Sequence, residues 1–262
     1  MNRSDRERGE SEIVIFGRHP VLEALRSEGA EVLEVKVARG VSAVDRQELR
    51  RRVESSNAEI AVEEISRDRM NRYTGAPRHD QGIAARVRLL RVTEVDAFLD
   101  GAKGKAARKP LRLLALDGVT NSQNVGMVVR SVVGAGLDGL LWPVVRQPWV
   151  NGLVIRAAAG AIFECPIVRC ETLMVGLASL QAAGFSSFGL DADAERSLFE
   201  VAPGHRAIFI LGNESLGLSD QTRGLLDARL AIPMAGPLES LNVAVAAGLV
   251  CFHAAGLLVP KD

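Results

Sequence analysis

The sequence is poor in cysteine, aromatic side chains and net charge, and each shortage excludes a class of protein. Three cysteines without a CxxC pair are too few for a disulfide framework. With 32 basic and 32 acidic side chains among 262 residues, the chain does not bind nucleic acid or membrane by bulk charge alone. One Tyr, two Trp and eight Phe do not provide a broad base-stacking surface.

The sequence also lacks long apolar runs. The longest nearly apolar run, residues 243–259, has 17 residues with His253 inside. A bilayer span needs about 20 residues, so this run predicts a buried helix. Charged residues stand at the start of the chain where a secretory signal needs an apolar stretch, which predicts a cytoplasmic protein with a disordered tail over residues 1–12.

Several catalytic fingerprints are missing as well. The sequence contains no GxGxxG, HExxH or GxSxG and no Cys/His cluster with zinc spacing. Hydride transfer, metalloprotease and serine hydrolase chemistry are therefore excluded, and no metal site is predicted.

The chain divides into two regions that differ in their residue patterns. Residues 13–100 mix alternating strands with amphipathic helices, and residues 101–110, GAKGKAARKP, have the composition of a basic linker. Residues 1–110 carry 22 basic and 19 acidic side chains, a balance of +3, against 10 and 13, or −3, afterwards. An anionic polymer is expected to meet the first region and the linker.

In residues 111–262, unalternating apolar runs lie between helical stretches, which predicts a parallel sheet covered on both faces. Because such sheets bind ligands at the carboxyl ends of their strands, three polar loops are candidates for the site: 117–124, 212–217 and 233–242. Each loop could also have a purely structural role. The first would then lead into a capped helix with a solvated Arg130, and the second would be a turn with an exposed Glu214. The third would supply the N-cap of the next helix from Ser240 or Asn242.

Taken in order, these loops resemble the three motifs of a known family. DGVTNSQNVGMVVRS, LGNESLG and IPMAGPLESLNVAVA are similar to the motifs of the SpoU/TrmH RNA ribose 2′-O-methyltransferases of the knotted SPOUT superfamily. FGRHPVLEALR and HDQG at 79–82 resemble the substrate-binding domain of bacterial members that modify large-subunit ribosomal RNA. The resemblance implies an α/β fold with a deep trefoil knot in the C-terminal parallel-sheet domain and a small, ribosomal-protein-like N-terminal α/β domain.

The resemblance also implies a methyl donor, S-adenosylmethionine, and no metal. By motif match, the donor-binding residues are Gly212, Ile232 and Leu241, together with Leu211 and Met234. The predicted catalytic residues are Arg130, Asn124, Glu214, Ser240 and Asn242. Arginine is a poor base because its pKa exceeds 12, so Arg130 is expected to bind the phosphate beside the target ribose while the others position ribose and loops.

Partners and substrate follow from the same resemblance. RNA contacts are expected from Arg18, His19, Lys103, Lys105, Arg108 and Lys109. A homodimer is expected through the helix at 243–259. The favoured substrate is a guanosine ribose of large-subunit ribosomal RNA. The alternatives are a transfer-RNA ribose methyltransferase, an antibiotic-resistance enzyme that methylates a ribosomal adenosine ribose, and a non-catalytic RNA-binding assembly factor.

Two positions depart from the family pattern. Asn121-Ser122 replaces a common Asp-Pro pair, and IRAAAGA at 155–161 has Ala158 where a Ser is usual.

Overall fold

A computed structural model describes residues 11–56, 59–104, 109–145 and 150–258. The chain forms two compact units, one from residues up to Arg91 with Val150–Glu164, and one from Val92–Trp149 with Cys165 onward. This division departs from the predicted one at 100/101. Residues 92–94 pair with a strand of the second unit, and residues 150–164 pack within the first.

The first unit contains a four-stranded sheet. Its elements are β1 (Glu12–Phe16), α1 (Arg18–Ala24), β2 (Ala30–Ala38), α2 (Ala43–Ser55), β3 (Ala61–Ile65), α3 (Arg67–Thr74), β4 (Ile83–Leu89), α6 (Gly152–Ala158) and α7 (Ala161–Glu164). The strand order is β1-β4-β2-β3, with β2 and β3 parallel and the other pairs antiparallel. Alternating burial along β1 matches the period-2 pattern of a half-buried strand.

Strand β1 begins inside the predicted disordered tail. Glu12 forms ion pairs with Arg88 at 2.8 Å and Arg86 at 3.1 Å across the sheet. The hydrogen bond from Arg88 lowers the pKa of Glu12. The predicted tail was therefore too long by Ser11 and Glu12, while residues 1–10 lie outside the described part of the chain.

The second unit contains a parallel sheet. Its elements are β5 (Val92–Glu94), α4 (Val95–Gly104), β6 (Leu111–Leu116), α5 (Ser122–Ala135), β7 (Gly139–Pro143), β8 (Ile167–Cys170), α8 (Leu173–Ala182), β9 (Ser186–Leu190), β10 (Arg206–Leu211), α9 (Asp220–Arg223), β11 (Ala228–Leu230) and α10 (Val243–Ala254). The order is β11-β9-β10-β6-β7-β8-β5, and each pair is parallel. The predicted α/β class with a parallel-sheet domain is confirmed.

The predicted basic linker, residues 101–110, is only partly a connection. Helix α4 extends to Gly104, residues 105–108 lie outside the described ranges, and β6 follows at Leu111.

Burial on both faces explains the apolar runs of this sheet. Leu113 and Ile208, on the neighbouring strands β6 and β10, are fully buried. One face of α5 packs on the sheet through fully buried valines: Val125, Val128, Val129 and Val132. The sheet grows from β6 through β7 to β8 on one side and from β10 through β9 to β11 on the other, so its direction of growth reverses between β6 and β10.

Hydrogen bonds to the connection between β9 and β10 secure helix α10. His253 Nε2 lies 3.0 Å from the carbonyl oxygen of Val201. The Arg112 guanidinium donates to carbonyls of Ala254 in α10 and of Pro203 and His205 in the connection. Burial lowers the pKa of Arg112. The helix ends at Ala254, before the predicted end at 259, and the last described residues, 255–258, are not helical.

The three cysteines are buried and form no disulfide. Burial raises the pKa of the Cys170 and Cys251 thiols to about 12 and raises the pKa of Cys165 as well. In the described ranges, no helix combines the length and the apolar character needed to cross a bilayer.

Candidate active site

The first two candidate loops are joined where β6 and β10 end side by side. The backbone N–H of Asp117 donates to the carbonyl of Leu211 at 2.8 Å, and the Asp117 carboxylate accepts from the N–H of Ser219 at 2.8 Å. Because these strand ends lie at the reversal of the sheet, a crevice forms there, as in other open α/β sheets.

Asn213 organises the second loop. Its side-chain Nδ2 donates to the carbonyl of Gly118 at 2.9 Å, and its Oδ1 accepts from the N–H groups of Ser215 and Leu216. Two backbone hydrogen bonds between Asn213 and Gly217 close the turn. The loop is therefore a small preorganised unit that presents Glu214.

Gly212 is required by the loop itself. A Cβ at this position would lie 2.2 Å from the carbonyl carbon of Gly217 and 2.4 Å from the nitrogen of Leu218. The sequence assigned Gly212 to donor binding by motif match. The structure adds a reason that the sequence did not show, which is that the loop folds back onto Gly212.

A chain of side-chain hydrogen bonds links all three loops. Asn124, buried at the start of α5, donates through Nδ2 to the Glu214 carboxylate. Its Oδ1 accepts from Nδ2 of Asn242 at 3.3 Å. Three predicted catalytic residues from three separate motifs are thus in direct contact.

The helix caps decide between the structural alternatives. Asn121 Oδ1 accepts from the N–H groups of Gln123 and Asn124 and caps α5. The departure at 121 therefore still provides an N-cap. Asn242 Oδ1 accepts from the N–H of Ala244 and caps α10, whereas Ser240 is exposed and does not cap it.

A cleft of about 590 Å³ lies beside this hydrogen-bonded chain. Seven predicted site residues line it: Leu211, Gly212, Glu214, Ile232, Met234, Ser240 and Leu241. Asn124, Asn242 and Arg130 are not among the lining residues. The volume falls within the roughly 300–1,000 Å³ range of small-molecule sites.

A fourth loop, which the sequence pattern did not indicate, also lines the cleft. Asp191 and Asp193 follow β9 and line the cleft together with Arg223. The Asp191 carboxylate is nearly buried and pairs with Arg223 at 3.4 Å and Arg229 at 3.2 Å. The sequence feature that could have indicated this loop is its position at the end of another strand of the parallel sheet.

Arg130 is not one of the residues that line the cleft. It is exposed on α5, on the same side as the partly exposed Met127, and no described residue forms a hydrogen bond or ion pair with its guanidinium. This exposure agrees with the burial of the valine side chains on the other side of α5.

The predicted RNA-binding residues belong to both units, and several have acidic neighbours. Arg18 forms ion pairs with Asp45 and Glu48, whereas His19 is exposed. Lys103 and Lys109 pair with carboxylates of the second unit, Asp100 and Asp138. Lys105 and Arg108 lie outside the described residues.

Comparison with known proteins identifies the family. A model of the SpoU rRNA methylase family matches residues 112–252, and a model of the RNA 2′-O ribose methyltransferase substrate-binding domain matches residues 14–93. The chain belongs to the SpoU rRNA methylase family. The predicted family and the predicted enzyme class, an RNA methyltransferase, are confirmed.

Relatives and solved structures agree with this membership. An uncharacterised tRNA/rRNA methyltransferase of Mycolicibacterium vanbaalenii is 36% identical over 238 residues, which cover 90% of this chain and 74% of the relative. The SpoU methyltransferase AviRb of Streptomyces viridochromogenes, in complex with AdoMet, has a TM-score of 0.74 at 24% identity and covers 98% of this chain and 93% of its own. An AdoMet-bound rRNA methyltransferase of Sinorhizobium meliloti has a TM-score of 0.71 at 19% identity and covers 98% and 92%. These two structures share the fold of this chain.

In the described part of the chain, no group of three or more His, Cys, Asp or Glu side chains is arranged to bind a metal.

Proposed function

We propose that this SpoU-family enzyme transfers a methyl group from S-adenosylmethionine to a ribose 2′-hydroxyl of RNA. A guanosine of large-subunit ribosomal RNA is the favoured target. The observation that carries the proposal is the hydrogen-bonded chain Glu214–Asn124–Asn242, which joins three motif loops at the edge of a ligand-sized cleft.

The lining of the cleft suits this donor. Apolar side chains such as Leu211, Ile232 and Leu241 provide walls for an adenosine. Four carboxylates line the cleft, Asp191, Asp193, Glu214 and Glu239, against a single arginine. An acidic, partly apolar cleft complements a ligand that carries a sulfonium and an ammonium. When bound, the donor supplies a methyl group that the sulfonium makes electrophilic.

The residues of this chain are assigned to orienting the reacting groups and to binding the RNA that accepts the methyl group. The ribose hydroxyl is a poor nucleophile until its proton is shared or removed. A guanidinium has only donors, so Arg130 binds the phosphate beside the target ribose and orients that phosphate, or a water, to accept the proton. Glu214, Asn124 and Asn242 keep the loops in register, and Ser240 positions the ribose. Well-oriented groups can lower a barrier by about 7–11 kcal/mol.

The exposed position of Arg130 favours a homodimer in which it acts on the partner's cleft. Helices α5 and α10 pack against each other, with Gly248 of α10 facing Ser131 of α5. Their outer surfaces carry the apolar Met127 and Val245, which are 40% and 55% exposed. Covering these side chains with a second copy would bury Arg130 beside another donor site.

Mixing two inactive variants tests this arrangement. Arg130→Ala removes the guanidinium and Gly212→Ala disturbs the donor loop. If Arg130 acts in the partner, mixed dimers regain methyl transfer, because one complete site forms. If sedimentation shows mixed dimers but the mixture does not regain activity, Arg130 acts in the cleft of its own subunit.

The activity itself is tested with labelled donor. Purified protein is incubated with S-adenosylmethionine and separately with ribosomal RNA and transfer RNA, and digested RNA is analysed by mass spectrometry for 2′-O-methylated nucleosides. Methyl guanosine in ribosomal RNA is expected. Label on transfer RNA would favour the alternative that the relatives' tRNA/rRNA names leave open. RNA binding without label would favour the assembly factor.

The Arg130→Ala variant is expected to bind donor with unchanged affinity and to lose methyl transfer by at least about 100-fold, in keeping with the loss of a group that stabilises and orients the reacting atoms. Arg130→Lys keeps the charge without the bidentate fork and should retain part of the activity. Methyl transfer near the wild-type rate in Arg130→Ala would refute the assigned role.

The trefoil knot is also proposed. It is supported by the hydrogen bonds that Ala231 exchanges with Arg196 and Leu198 in the connection between β9 and β10, at 2.8 Å each. Beyond Ala231 the chain enters α10, which is bonded to the same connection through His253. A crystal structure traced from Asp191 to Ala254 checks the threading. A cytoplasmic location stays a prediction.

A further inference from the structure

Most arginines of the first unit are neutralised by carboxylates. Examples are Arg86 and Arg88 with Glu12, and Arg69 with Glu63. Arg156, exposed on α6, belongs to the minority that have no carboxylate partner in the described part of the chain. Among the described residues, no carboxylate lies within ion-pair distance of its guanidinium, and its hydrogen-bonding neighbour is His79.

Tight packing fixes helix α6 and therefore Arg156. A Cβ at Gly152 would lie 2.1 Å from Cζ of Phe16 in β1, so the start of the helix lies directly against that ring. The side chain of Asn151 caps the same end by accepting from two backbone N–H groups. Arg156 comes one turn after Gly152, on the same side of the helix.

The loop that carries His79 is equally constrained. Asp80 is completely buried and is bonded to Arg67 at 2.6 Å, to the hydroxyl of Thr74 at 3.1 Å and to the N–H of Gly82 at 2.8 Å. The next residue, Gln81, has a positive φ of 51°, and its side chain accepts from the N–H of Arg18. A strained backbone that its surroundings fix in place is characteristic of ligand sites.

The chemistry of the pair is that of an anion site. Arg156 Nη1 lies 3.3 Å from Nδ1 of His79. Because a guanidinium has no acceptor, Nδ1 accepts and the ring proton is on Nε2. The pair therefore presents the remaining guanidinium N–H groups and the imidazole Nε2–H to solvent, both planar and both exposed.

We propose that Arg156 and His79 bind one backbone phosphate of the RNA substrate. The inference rests on the proposed function, because the substrate-binding family model covers His79 and the fork of Arg156 matches phosphate oxygens. Neither residue belongs to the three motifs. The site sets where RNA lies on the first unit and has no part in methyl transfer chemistry.

The test is RNA affinity as a function of salt. Binding of a fluorescein-labelled RNA stem-loop with a single-stranded loop is measured by anisotropy for the wild type, Arg156→Gln, His79→Gln and the double variant. The matched control is Arg69→Gln, which removes an exposed arginine that is already paired with Glu63. Thermal melting of every variant shows that the fold is retained.

Arg156→Gln is expected to weaken binding by about tenfold, as the loss of a charge-assisted hydrogen bond does. The slope of log K against log salt should become shallower by about 0.7, the value for one phosphate contact of a single strand. The double variant should lose little more than Arg156→Gln alone, since both side chains contact the same phosphate. Arg69→Gln should match the wild type.

Wild-type affinity and slope in Arg156→Gln would overturn the inference, and so would an equal loss in Arg69→Gln. Absence of RNA binding by the unaltered protein would overturn it as well. The proposed function is judged separately by methyl transfer with saturating RNA. Methyl transfer by the wild type, together with wild-type RNA affinity in Arg156→Gln, would reject this site and leave the proposed activity standing.

Discussion

Replacing Asn124 by aspartate tests the hydrogen-bonded chain with almost no change in side-chain volume. The amide Nδ2 donates to Glu214, and the amide Oδ1 accepts from Asn242. A carboxylate keeps the acceptor and loses the donor. Asn124→Asp therefore leaves Asn242 bonded and places two carboxylates against each other.

The expected cost follows from burial on one side and exposure on the other. A hydrogen bond to a charged group contributes about 1.5–3 kcal/mol, and repulsion between the carboxylates adds to its loss. Glu214 is exposed and can turn into solvent, which reduces the repulsion, whereas Asn124 is only 8% exposed. We expect the free energy of unfolding to fall by about 1–2 kcal/mol, or the melting temperature by about 2–8 °C for a domain of this size.

Acidification should reverse this loss. A carboxyl group facing a second carboxylate keeps its proton to higher pH than it does in the unfolded chain. The folded variant then binds more protons than the unfolded one, so its stability relative to the wild type increases as pH falls. The deficit should be largest near pH 7 and shrink toward about pH 4, where a protonated carboxyl can donate again.

The matched control is Asn121→Asp, three residues earlier at the same helix end. Asn121 acts only as an acceptor for two backbone N–H groups, and aspartate is an equally good N-cap. This variant should melt within about 1 °C of the wild type or slightly above it, a prediction that follows from the cap energies. Calorimetry from pH 4 to 8 and donor titration would measure both. Equal melting shifts in the two variants, or a deficit at position 124 that grows on acidification, would refute the reasoning.

Three other predictions concern the cleft and the core. Gly212→Ala should displace the loop, lower stability by about 1–3 kcal/mol and abolish donor binding, whereas Gly236→Ala, which meets nothing within 4 Å, should be neutral in calorimetry and titration. Asp191→Asn should cost about 1–3 kcal/mol in chemical denaturation because two arginines lose their partner, and Asp193→Asn, exposed, should cost less than about 0.5 kcal/mol. The three thiols should react with a thiol reagent at pH 8 only after unfolding. Because folding raises their pKa, stability should decline above about pH 8.5, the ordinary thiol value, and a fast native reaction would contradict their burial.

Most strands of the parallel sheet could be predicted, because a strand buried on both faces has a continuous run of apolar residues. Strands β6 and β10 read as LRLLAL and RAIFIL, and the polar loops after them follow from the rule for strand ends. Strand β9 has no such apolar run, since its sequence is SSFGL.

Ser187 shows why β9 and the loop after it were missed. This serine is fully buried, and its hydroxyl and N–H both donate to the carboxylate of Asp227 at 2.9 and 2.7 Å. A polar residue inside a buried strand is tolerated only with such a partner, and a partner 40 residues away leaves no local pattern. Asp191, which follows this strand, was therefore not predicted as part of the cleft.

Local features of this protein were determined by the sequence alone. The motif loops stand at strand ends, Asn242 is placed to cap α10, and the valine face of α5 leaves Arg130 on another side, because capping and helical periodicity depend on neighbours within a few residues.

Only the tertiary structure decided which distant residues meet. Asn124 contacts Glu214 across 90 positions and Asn242 across 118, and residues 150–164 join the first unit although the sequence had assigned them to the second. Such contacts depend on the order of strands in the sheet and on packing between separate segments. Neither of these is recorded in the spacing of side chains along the chain.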